Sequence, residues 1–337
     1  MLGYAGWYGK QPYREILFYL PLQQLFLLPP VLYFYFKNLF DKSFRFRKID
    51  YLHFLPAILY LIYAFIVFIV DKMVSSNIYF YQDGKDKDFS TWYQIGGFLS
   101  LLLYLILSLR LYNRYKFLTF NSFSFAEKLT FKWAQRFLIA FLFLVFIRLL
   151  FFIINPEWDE FGRKFWYYLA FSFLFYFISI SGYVNSVQTL TSFKDWLVAP
   201  NNELKSGQKE VSIKKLDQEM LPELDVWKSR VENLIIIQKM YKNPELSIYD
   251  VAVGLETHSK KVSQVVNQGF GMNFNDYVNR QRVKAIIEKF EQGEHSLLTL
   301  LGIAMECGFF SKSTFNRAFK KETSLSPKDY IQKIFIK

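Results

Sequence analysis

Near the end of the chain Ser313, Asn316, Arg317 and Lys320 recur at three- and four-residue spacing. At 3.6 residues per turn they share one helix face, while Phe315, Ala318 and Phe319 share the opposite one. The polar face offers a hydroxyl, an amide, a guanidinium fork and an ammonium, so its chemistry is recognition by hydrogen bonds and charge. Lys312, Thr314 and Lys321 extend the same set. An earlier helix repeats the pattern, with Lys260, Ser263, Gln264 and Asn267 opposite Val262, Val265 and Val266. Bond-making chemistry is not legible. His53, His258 and His295 are scattered, and Cys307 is the single cysteine, which rules out an internal disulfide and zinc-type spacing. There is no Gly-rich phosphate loop, phosphorelay signature or nucleophile elbow. No catalysis and no cofactor are expected, and Cys307 reads as a buried core residue.

These faces need elements to hold them. Leu300–Cys307 reads as an apolar helix that stops at Gly308, since glycine takes the left-handed conformation that ends a helix sharply. Ala304 is small enough for the next helix to cross closely. Earlier, Leu224, Trp227, Val231, Leu234 and Ile235 give a helix ending near Tyr241, broken by Asn243-Pro244. Ser247-x-x-Asp250 is a capping box that opens a helix from Ile248 to about Leu255. A turn at Glu256–His258 leads into a helix from Ser259 to Gln268. Phe274–Gln292 carries one apolar face and stops at Gly293. Two helix-turn-helix modules result, at about 248–268 and 298–321, joined by helix 274–292 within a domain at 222–337.

Gly308-Phe309-x-x-x-Ser313-x-Phe315-x-Arg317-x-Phe319-Lys320-Lys321, followed by Ser326-Pro327 and Tyr330, closely resembles the second helix-turn-helix of the AraC/XylS family of bacterial transcription regulators. The resemblance covers roughly residues 228 to 335. It implies a rigid connecting helix and two recognition helices for double-stranded promoter DNA. Two such helices can enter successive major grooves about 34 Å apart. Gln264 has the amide to pair with adenine and Arg317 the fork to pair with guanine. Lys260, Lys320 and Lys321 suit phosphates, which position without specifying. This sequence departs from the family pattern at Ser324, where glycine is usual, at Phe310, in a slot usually polar, and at Ile331, where arginine is frequent. Glu256 stands where the second module has Gly308, and Ser311 is available as a helix cap.

The rest of the chain has a different composition. Aromatic residues make up 20% of the whole, with Phe and Tyr concentrated before residue 186. Of the net charge of +12, residues 222–337 hold only +4, compatible with modest DNA affinity that needs both modules or a homodimer. Five apolar runs have spanning length, at about 16–36, 51–70, 94–112, 137–154 and 165–184. The connections 37–50 and 110–136 carry five and six Lys/Arg, against three in 71–91 and two in 155–164. The positive-inside rule then puts the rich connections and everything after 185 in the cytoplasm, where DNA is, with Met1 outside. The lead of residues 1–15 carries no export signal, which leaves open a further N-terminal span. Arg148, inside the fourth run, and His53, at the start of the second, are the candidate signal-sensing residues. Snorkelling of Arg148 and an interfacial structural place for His53 are the plainer readings.

Residues 186–221 turn polar, with Pro200-Asn201-Asn202 and Lys205-Ser206-Gly207-Gln208 as loop signals, and read as a cytoplasmic linker. The expected fold is all-α: a polytopic transmembrane helical bundle of about five spans over 1–185, then the linker, then the two-module DNA-binding domain. The expected setting is the bacterial inner membrane. The expected partners are DNA, membrane lipid and a signal ligand or partner protein of unknown identity. The rival reading is a membrane transporter or channel with a cytoplasmic tail that does not bind DNA; the absence of internal repeats and of paired broken helices weighs against it.

Overall fold

A computed structural model describes residues 19–74 (except 22, 23 and 42), 87–154, isolated positions between 169 and 180, and 221–335 (except 222). The described residues form helices and turns, with no strand among them. Internal contacts divide the chain into two compact units, 1–113 with 132–188, and 114–131 with 189–337.

In the first unit α1 spans Leu28–Phe40, α2 Leu55–Ile69, α3 begins at Thr91 and runs to Ser122, and α5 spans Lys132–Ile154. Three described segments, Lys48–Val74, Thr91–Ser122 and Lys132–Leu150, are long and apolar enough to cross a membrane. That is fewer than the five expected. The run 16–36 is not one continuous span: a turn at 25–27 precedes α1. Pro29 and Pro30 lie in the first turn of α1, where a missing N–H breaks no helical bond, so they start this helix instead of interrupting a longer one. The turn packs on α3 at Gly97, where a Cβ would meet Leu25 Cβ at 2.5 Å. The run 165–184 and the linker 186–221 lie almost wholly outside the described residues. On α2, Ala57, Tyr60, Ala64 and Val67 are buried while Ile58, Leu59, Ile62, Phe65 and Ile66 are exposed, so the helix is apolar all round.

The second unit starts with the last turns of α3 and a short helix, α4, at Ala126–Leu129. Then come α6 (Leu224–Glu232), α7 (Ile248–Gly254), α8 (Ser259–Phe270), α9 (Phe274–Glu291), α10 (Leu300–Glu306), α11 (Lys312–Thr323) and α12 (Pro327–Phe335). The helix expected to reach Tyr241 stops earlier. After α6 a π turn covers Asn233–Ile237, and Lys239 takes a left-handed φ of 58° that redirects the chain. Two apolar cores form. One gathers Val231, Ile235, Val251, Val262, Val265 and Val266 with Phe274, Tyr277 and Val278 of α9. The other gathers Ile303, Ala304, Cys307, Phe309, Phe315 and Phe319 with Val283, Ile286 and Phe290 of α9. One helix thus supplies a wall to both cores, which fixes the modules to each other.

Candidate nucleic-acid interface

The first module is α7–turn–α8. Ser247 caps α7, accepting from the Asp250 N–H at 3.3 Å, while the Asp250 carboxylate accepts from the Ser247 N–H at 2.8 Å. This closes the box read in the sequence and satisfies donors that the first turn leaves open. Glu256 turns the chain at φ 52°. Burial of Val262, Val265 and Val266 aims the other side of α8 outward. Lys260 on that side is exposed; Ser263, Gln264 and Asn267 are half-buried, and the Asn267 amide donates to Ser263 Oγ at 3.4 Å.

The second module is α10–turn–α11. Thr299 caps α10 by accepting from the Gly302 N–H at 3.0 Å. Gly308 makes the turn at φ 91°, and a Cβ there would lie 2.5 Å from the Tyr241 carbonyl oxygen. Both the conformation and the lack of room require glycine. Ser311 caps α11, accepting from the Thr314 N–H at 3.2 Å. Phe315 and Phe319 are buried beneath the helix, and Lys312, Ser313, Asn316, Arg317 and Lys320 are exposed on it. Lys321 pairs with Asp276 of α9 at 2.7 Å, and Arg280 of α9 pairs with Glu322 at 2.9 Å. Lys321, expected on a phosphate, therefore also ties α11 to α9; an exposed pair of this kind is worth about 1 kcal/mol or less.

Sequence reading missed several residues. Arg282 of α9 is buried and donates to the carbonyls of Tyr241 and Asn243, each at 2.8 Å, and to Asn279 Oδ1 at 3.2 Å. Burial lowers its pKa to about 9, which leaves it charged at neutral pH. It ties the turn ahead of α7 to α9. Lys289 likewise donates to Glu294 at 2.6 Å and Glu306 at 2.8 Å, holding α10 against α9. Burial pushes the Cys307 thiol up to about 11, so it is inert and packs as a small apolar residue. Glu127 accepts from Thr314 Oγ1 at 2.9 Å and pairs with Arg317, and burial lowers the Arg317 pKa. Apolar periodicity marks helix faces, and none of these long-range ties has such a signal.

The two candidate sensing residues each meet a polar side chain of α3. His53 Nδ1 lies 2.7 Å from Tyr104 Oη, and Arg148 donates to Gln94 Oε1 at 2.5 Å. Both partners are on α3, ten residues or about 15 Å apart along the helix.

Among the described residues no cluster of His, Cys, Asp or Glu has the makings of a metal site. No curated protein and no solved structure matches the chain. Residues 251–333 match a protein-family model described as a helix-turn-helix domain. The match begins in α7 and ends in α12, so it takes in both modules and the helix that joins them. The match supports a DNA-binding, regulatory helix-turn-helix of the AraC/XylS type in this part of the chain.

Proposed function

We propose that the chain is a membrane-embedded, sequence-specific transcription regulator of bacterial inner membranes. The observation that carries the DNA-binding part is the domain match over two helix-turn-helix modules built on one shared helix. In this reading α8 and α11 enter successive major grooves, with Gln264 and Arg317 reading base edges and Lys260, Lys320 and Lys321 meeting phosphates. Ser263, Asn267, Lys312, Ser313, Thr314 and Asn316 line the two contact faces. Three segments long and apolar enough to span a bilayer support the membrane part, as does the alternation of Lys/Arg-rich connections. The membrane half anchors the regulator and responds to a signal there or outside, with His53 and Arg148 as the polar groups available to it. A homodimer would double the modest electrostatic attraction of a domain carrying net +4.

Genome-wide occupancy of the full-length chain in its own cells tests this. Discrete peaks that vanish in the Gln264→Ala/Arg317→Ala double variant are expected. Peaks that persist unchanged in the double variant would remove α8 and α11 as readers.

A further inference from the structure

The connection between α3 and α5 lies against the second unit's helices through two distinct sets of contacts. The first is an anchor at Ser124, which is fully buried. Its N–H donates to the Leu246 carbonyl at 3.0 Å, and its hydroxyl accepts from Arg282 at 3.1 Å. The Asn275 amide donates to the carbonyls of Ser124 at 2.7 Å and Phe123 at 3.3 Å. Asn275, Asn279 and Arg282 thus form a buried polar row on α9, and part of its hydrogen bonding is completed by the connection. The second is a cap at Glu127 on α4. Its carboxylate takes Thr314 Oγ1 and the Arg317 guanidinium, both on the outer face of α11. Phe125 meets the Phe310 ring at 6.1 Å, and the Lys128 ammonium sits 4.4 Å above that ring. Phe310, at a position where the related family is usually polar, finds its packing here.

We propose that residues 123–131 are an intramolecular clamp that engages Thr314 and Arg317 of α11 and holds the second module off DNA. The inference rests on the reading of α11 as a recognition helix. A guanine offers two acceptors, O6 and N7, to an arginine fork, and a carboxylate competes for the same N–H groups. A carboxylate on that face also repels the phosphates flanking the groove. The two occupants of Arg317 are therefore alternatives. The anchor at Ser124 does not touch the reading face, so the cap can open while the anchor stays. Because the clamp is the direct connection between α3 and α5, both long and apolar enough to span a bilayer, a change in those helices has a covalent route to DNA binding. A signal that favours the open form by its differential affinity would act as an inducer of binding.

The test uses the full-length chain in lipid nanodiscs and a pool of random-sequence duplexes enriched on it. Glu127→Ala is expected to bind the enriched duplexes roughly tenfold more tightly, a coupling in the usual allosteric range. A Lys128→Cys/Phe310→Cys chain, joined by a short bis-maleimide, is expected to lose at least that much affinity relative to its unjoined form. Enriched duplex should in turn lower the yield of the joined product. Equal or weaker binding by Glu127→Ala, or undiminished binding by the joined chain, would overturn the clamp while leaving the recognition reading intact. Failure of every variant to enrich any duplex would remove the recognition reading and the clamp with it.

Discussion

The two helix-turn-helix modules share α9 yet are built to different tolerances. The second turns on Gly308, whose φ of 91° and crowding against the Tyr241 carbonyl leave no room for a side chain. The first turns on Glu256, an ordinary residue held at φ 52°. The second recognition helix starts from a side-chain cap at Ser311, whereas His258 before α8 makes no side-chain cap. The reading face of α11 is also touched by Glu127 from the connection at 123–131. Domain match alone would treat the modules as equivalent. Their turns and neighbours say that the second is the tightly specified one, and the one placed to be controlled.

The largest effect should come from the turn at Gly308. Gly308→Ala adds a strained φ and a clash with backbone, and should destabilise α10–α11 by about 3 kcal/mol. Glu256→Gly relieves a strained φ and should stabilise the first module by up to about 1 kcal/mol. Amide hydrogen exchange, resolved helix by helix, reads both. Loss of protection in α7–α8 equal to that in α10–α11 for Gly308→Ala would erase the distinction drawn between the modules.

Specificity comes next. Arg317→Ala should cost about 1–3 kcal/mol at one base position and relax the preference there, and Gln264→Ala should do the same at a position about one helical turn away. Binding to a panel of single-base variants shows whether the two positions are separate. If both substitutions relaxed the same base, the modules would not read successive grooves. The smallest effect belongs to Lys320→Ala, which should weaken all sequences evenly and lower the salt slope by about one. A salt titration with an unchanged slope would take Lys320 off the phosphates.

Local rules in the sequence foretold the parts that local physics decides. The capping box at Ser247 and Asp250, the stop at Gly308 and the buried faces of α8 and α11 all follow from residue type and spacing over a few turns. Ser311 took the cap open to it, and Ser324 holds a left-handed φ of 62° where related domains use glycine. The break at 25–27 had signals in Pro21, the polar pair Gln23-Gln24, Pro29 and Pro30, but the length of the apolar run around them still read as one span. The contacts of Glu127 and Ser124 were not legible at all. They join residues more than 120 positions apart, and the connection 110–136 had shown itself only as a carrier of Lys and Arg.

In the proposed function one chain holds a membrane and a specific DNA site together. Cells are treated with a reversible protein–DNA crosslinker, their membranes are separated by flotation, and the DNA that floats with the chain is sequenced. Occupied sites should float with the membranes, and fail to do so for Gln264→Ala/Arg317→Ala. Recovery of the same sites only from the soluble fraction, with the intact chain beside them, would contradict it.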